Sequence, residues 1–216
     1  MNKIQLLAIS IIPLIFAITL HEAAHGWMAN RLGDSTAKML GRLTLNPIRH
    51  IDPVGTILVP MVMFALSGFI FGWAKPVPVN TRNLKNPRKD MAAVAIAGPA
   101  SNLLMAFGWA IVWKLAYLLP ESLVWAAVPL ALMGQVGVLF NLILMVLNIL
   151  PIPPLDGSRI LAWLVPPRLA MQLDRMEGYG IFIIIALLFL GLWQYVIYPA
   201  TTFITGLLIQ IFALPH

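Results

Sequence analysis

Cysteine is absent from the 216 residues, and charge is scarce: only 10% of the chain is Asp, Glu, Lys or Arg. Without thiols there is no disulfide framework and no thiolate metal site, so any metal would be held by His, Asp or Glu. Soluble domains carry about 25% charged residues. A chain that is 60% hydrophobic, with mean hydropathy +0.89, is instead an integral membrane protein in a lipid bilayer. Its length suits one compact helical domain, residues 1–216. The net charge of +6 would suggest nucleic acid in a soluble protein. Here it records positively charged cytoplasmic loops, and no nucleic-acid partner is expected. Met1-Asn2-Lys3 and the apolar run behind it resemble a signal peptide. No small-residue cleavage site follows, so the run is read as retained.

What is present is a sequence of apolar runs separated by basic loops. Ile4–Leu32 is long enough for a spanning helix, which needs about 20 residues, and Gly33 is a plausible stop. Residues 34–52 are polar and basic. Val54–Phe71 is apolar, but both its flanks are positive, so it is expected to dip in and return rather than cross. Gly72–Asn80 is punctuated by Pro76 and Pro78 and reads as extended. Met91–Leu119 and Val128–Leu150 are expected to cross, joined by an external loop without a basic residue. Three prolines in Pro151–Pro154 forbid regular helix there. Ser158–Val165 then reads as a short helix, Pro166–Gly180 as a cytoplasmic connection, and Ile181–Tyr198 as an outward span. The tail Thr201–Leu214 has no firm placement. The expected fold is an all-α polytopic membrane protein: about five to six transmembrane or re-entrant helices with a small extended, β-like membrane-associated segment.

The chemistry concentrates in His21-Glu22-Ala23-Ala24-His25. On a helix, positions 21 and 25 lie one turn apart on one face, so two imidazoles can close on one ion with Glu22 beside them as a general base. Counting about 1.5 Å per residue from Gly33 puts the pair about 12–18 Å inside that end, within the membrane and nearer one face. A hydrolytic zinc needs three protein ligands and an open position for water. Asp156 is the favoured third ligand: it follows the broken Pro151–Pro154 stretch, has Gly157 beside it, and is costly in apolar surroundings unless paired. Its bland reading is a helix cap. His50 and Asp52 are rival ligands. Asn102 and Asn148 each have two readings, interhelical hydrogen bonding or a polar contact to substrate. Asn148 is the better oxyanion candidate. Two further classes stay open: a catalytically silent metal-binding transporter, and a scaffold that binds membrane helices.

These residues carry a resemblance. His21-Glu22-x-x-His25, Gly98-Pro99-x-x-Asn102 and Asn148-x-x-Pro151 followed by Leu155-Asp156-Gly157 resemble the motifs of the site-2 protease family of intramembrane zinc metalloproteases, in the short prokaryotic branch without PDZ or CBS domains. Asn46–Pro53 and Gly72–Asn80 also look typical of that branch. The resemblance implies one Zn2+ bound by His21, His25 and Asp156. Glu22 would be the base and Asn148 a substrate-positioning or oxyanion group. It further implies a role for Pro76, Val77, Pro78, Val79 and Asn80 in presenting substrate, here transmembrane proteins cleaved by regulated intramembrane proteolysis. The expected location is the plasma membrane, with the site nearer the cytoplasmic face.

Overall fold

The computed structural model describes residues 3–59, 61, 62 and 75–215. Helix α1 (Lys3–Arg31) is followed by the single turn α2 (Thr36–Met39), then by α3 (Pro87–Ala116), α4 (Val124–Ile149), α5 (Asp156–Leu164), α6 (Pro167–Met176), α7 (Gly180–Phe189) and α8 (Tyr198–Phe212). Four stretches among the described residues are long and apolar enough to cross a membrane: Ala8–Arg31, Pro87–Ala116, Glu121–Ile149 and Trp193–Phe212. The chain is an all-α polytopic membrane protein. Most of Val54–Phe71 lies outside the described residues, and so do Gly72, Trp73 and Ala74, so the expectation of a dip-and-return there falls outside them.

Apolar side chains gain little from facing one another rather than lipid, so bundles of this kind depend on close packing and interhelical hydrogen bonds. The sequence supplies both. Helix α3 turns Ala92, Ala95, Ala106, Ala110 and Ala116 inward, all buried. Gly134 and Gly137 of α4 let its backbone approach Trp113 and Trp109, because a Cβ at either position would overlap them. The α3–α4 contact is the most extensive in the bundle, and α1 leans against both. Val138, Leu142, Met145 and Val146 of α4 complete a core with Ile197 and Leu208 near the C-terminus.

Helix α1 ends where Gly33 takes φ +114°, open to glycine and costly for other residues. Asp34 N–H returns to the Ala29 carbonyl at 2.9 Å, closing the cap. Near the C-terminus the expectation of a span over Ile181–Tyr198 is corrected. Gly191, at φ +98°, ends α7 after ten residues, and the chain re-enters a helix that runs from a π-helical turn at Trp193–Ile197 through α8. The crossing stretch is therefore Trp193–Phe212, including the tail that the sequence left unplaced. The connection read over Pro166–Gly180 contains helix α6, started by Pro167 at its first position.

Candidate active site

His21 and His25 lie one turn apart on α1, and α3 holds both rings from behind. The Val94 carbonyl lies 2.7 Å from His25 Nδ1 and can only accept, so that nitrogen carries the hydrogen. His21 Nδ1 donates to Asn102 Oδ1 at 2.5 Å. The orientation of the Asn102 amide is itself fixed, since its Nδ2 donates to the Ala17 carbonyl at 3.2 Å and to Asn141 Oδ1 at 3.0 Å. Asn141, on α4, in turn donates to the Gly137 carbonyl at 2.8 Å. Three spanning helices are thus tied together by a buried polar chain that ends on His21.

With both Nδ1 positions protonated, both Nε2 atoms present lone pairs, and they face each other at 3.0 Å. Asp156 Oδ2 lies 3.3 Å from each of them. This oxygen is buried and takes no hydrogen bond among the described residues. Three electron-pair donors converging on one point repel unless a cation lies between them. Edges of 3.0 and 3.3 Å are also close to those of ligand atoms about 2.0–2.2 Å from a tetrahedral ion. His21, His25 and Asp156 could therefore hold a metal ion.

Two glycines make room for this triangle. A Cβ on Gly98 of α3 would overlap His25 Nε2 and stand 2.6 Å from His21 Cε1. A Cβ on Gly157 would overlap the Ile149 and Leu150 carbonyls, at the turn that ends α4. That turn closes through Ile152 N–H to the Leu150 carbonyl at 2.8 Å and Leu155 N–H to the Ile152 carbonyl at 2.9 Å. It delivers Asp156 as the first residue of α5. At the other end of α5, Arg88 donates to the Ala162 carbonyl at 2.6 Å and the Val165 carbonyl at 2.5 Å. The helix carrying the acidic group is held at both ends.

The chain is 42% identical over 197 residues to the protein named "Putative zinc metalloprotease YwhC" of Bacillus subtilis (strain 168), covering 91% of this chain and 87% of that one. It belongs to the YwhC family. Two mycobacterial proteins named "Putative zinc metalloprotease Rip2" are each 30% identical, over 174 residues in Mycolicibacterium smegmatis and 173 in Mycobacterium tuberculosis (strain H37Rv). The chain spans 64% and 63% of their lengths. No protein-family profile matches the chain, and neither does a solved structure.

Glu22, next to His21, turns its carboxylate to a different element: Oε2 accepts the Val77 N–H at 2.8 Å. Residues 75–80 form no strand, but Pro76 and Pro78 hold the residues before them extended. Lys75 N–H donates to the His50 carbonyl at 2.9 Å, and Arg42 donates to the Lys75 carbonyl at 2.9 Å. Asn80 N–H donates to Asp34 Oδ2 at 2.7 Å. Of the residues expected to present substrate, Asn80 is thus an exposed residue anchored through its backbone N–H, and its side chain caps the next turn at Arg82 N–H. Pro76, Val77, Pro78 and Val79 run between the anchors.

Four other candidate residues have partners of their own. Asn102 is fully buried with its carbonyl and amide engaged, which corrects its reading as a substrate contact: it supports His21. His50 donates from Nε2 to the Thr44 carbonyl at 2.9 Å, and Asp52 caps Val54 and Gly55, so neither rival ligand joins the triangle. Asn148 donates one amide hydrogen to the Leu144 carbonyl of its own helix at 2.9 Å. Sequence reasoning missed Asn141 and Asp34. Asn141 carried the same signal as Asn102, an amide in an apolar helix. Asp34 was hidden by its place after Gly33, where a solvated turn is ordinary.

Proposed function

We propose that the chain is a zinc-dependent intramembrane endopeptidase of the site-2 protease type, hydrolysing peptide bonds in or near transmembrane segments of membrane proteins. The observation that carries this reading is the convergence of two imidazole lone pairs from a spanning helix with one orphaned carboxylate oxygen from the short helix α5, and a second carboxylate on the residue next to His21. A carboxylate within the membrane costs about 3 kcal/mol by insertion scales. Glu22 is not needed to complete the three-ligand group, so its cost points to a separate task. The names of the relatives support the same chemistry.

His21, His25 and Asp156 would hold the zinc, which when bound lowers the pKa of a water toward about 7 and polarises a carbonyl. Glu22 accepts a proton from the attacking water and later delivers it to the leaving amide nitrogen. Asn148 keeps one amide hydrogen beyond the bond to Leu144 and would donate it to the substrate carbonyl. A substrate helix hides its carbonyls in hydrogen bonds and must be unwound locally. Between the anchors, the Val77 carbonyl and both backbone groups of Val79 would be open to a partner chain. They take no hydrogen bond among the described residues. An unwound substrate could pair there by strand addition. The basic residues cluster at the Gly33 end of α1, and the 117–123 loop has none, which supports a plasma-membrane orientation with the site nearer the cytoplasm.

The test is purified wild type, Glu22→Gln and His21→Ala, each measured for bound metal and for cleavage of a single-span model substrate. Glu22→Gln should keep metal and lose cleavage, whereas His21→Ala should lose both. Cleavage by Glu22→Gln at the wild-type rate would refute the reading.

A further inference from the structure

We propose that Asp34 is a positioning residue for the general base, acting through the Pro76-Val77-Pro78 segment that it anchors at Asn80; this rests on Glu22 being that base. Within Pro76–Pro78 only Val77 has an amide hydrogen, and it is donated to Glu22 at 2.8 Å. The segment thus offers Glu22 one donor, and the placement of that donor depends on the two ends.

At the far end Asp34 is fully buried, and it accepts hydrogen bonds both from Asn80 and Asn83, which hold the segment's end, and from Thr36 beside it. Its Oδ2 takes Asn80 N–H at 2.7 Å, while Oδ1 takes Asn83 Nδ2 at 2.8 Å and Thr36 N–H at 3.1 Å, with the Thr36 hydroxyl also bound. Because Asp34 N–H returns to the Ala29 carbonyl at 2.9 Å, Asp34 is tied to the end of the helix that carries Glu22. The helix thus supplies the base, and the residue bonded to its last turn, twelve positions later, supplies the anchor of the donor that orients it. A second register mark lies between them. Val77 is buried against Gly26, where an added Cβ would stand 3.1 Å from Val77 Cγ1. The side chain sets the segment's height on α1, and Asp34 sets its end.

Two substitutions isolate the link. Asp34→Asn keeps the shape and the oxygen facing Thr36 and Asn83, but presents an amide nitrogen to the Asn80 N–H. Asn80→Pro removes that N–H and leaves Asp34 intact. Thr36→Val is the milder comparison, since it removes the hydroxyl bonded to Asp34 and Asn83 but leaves the Asn80 N–H bond to Asp34 Oδ2 in place. All are compared with wild type and Glu22→Gln for kcat and KM on a single-span substrate, metal content and thermal midpoint. The expected result is a fall in kcat of about 10- to 100-fold, as for a displaced catalytic group, in Asp34→Asn and Asn80→Pro. Metal content is retained in both, and Thr36→Val stays within about two-fold of wild type. Wild-type kcat in a folded, metal-bound Asp34→Asn or Asn80→Pro would overturn the proposal while Glu22→Gln stays inactive. So would loss of metal and thermal stability in parallel with activity in both variants, which would make Asp34 a fold residue. If Glu22→Gln itself cleaves normally, the reading of the base fails instead.

Discussion

The two halves of the candidate site are built in opposite ways. The His21–His25–Asp156 triangle is held from inside the bundle, by Asn102, Asn141 and the Val94 carbonyl, behind a close α3–α4 contact. The Lys75–Asn80 segment that meets Glu22 is held by the connections between helices, by Arg42 and His50 at one end and Asp34 at the other. Side chains locked in a packed interior move little, whereas the placement of this segment depends on a few separate anchors at its ends and at Val77. Metal retention and turnover should therefore be separable by mutation, the first answering to α3 and the second to the loops.

Removing a ligand should have the largest effect. Asp156→Ala or His25→Ala should abolish both bound metal and cleavage, read by metal analysis alongside a substrate assay. Gly98→Ala comes next: its methyl group would occupy the space of both imidazole edges, so metal binding should collapse although no ligand is touched. Asn102→Ala frees the His21 ring and should weaken metal affinity by about 10- to 100-fold, as loss of an outer partner does, measured by competition with a chelator. Gly26→Ala pushes Val77 by a few tenths of an ångström, so it should reduce kcat several-fold with metal unchanged. Equal losses of metal in Gly26→Ala and Asn102→Ala would erase the distinction between the two regions.

The smallest effect concerns acidity. Burial alone would raise the Asp34 carboxyl, but hydrogen bonds from Thr36 and Asn83 side chains and from the Asn80 and Thr36 amides outweigh it and hold it below its ordinary value. A carboxyl that titrates lower when folded than when unfolded adds stability above the unfolded value, and loses it as pH falls through the folded one. Wild type should therefore lose thermal stability on acidification below the ordinary carboxylate range more steeply than Asp34→Asn, as thermal unfolding across that range would read.

Much of this was written in the sequence. His21, Glu22 and His25 announce themselves because charge in an apolar helix is rare and expensive, and Asp156 stands out for the same reason after its prolines. The long helices followed from the length of their apolar runs. The break at Gly191 did not, because one glycine within an apolar run costs little and its positive φ shows only in three dimensions. Asn141 and Asp34 were not legible either. Whether a polar side chain serves a ligand, a substrate or a turn depends on partners 39 to 85 residues away for Asn102, and 46 and 49 for Asp34. Spacing along one helix cannot supply such long-range pairs.

The most direct test of the metal centre is the zinc content of the purified protein in its membrane-mimetic environment, for wild type and Asp156→Asn side by side. The account predicts stoichiometric zinc in the wild type and its loss in the variant, whose neutral amide is a far weaker donor. Zinc retained at the wild-type level after that single substitution would contradict it.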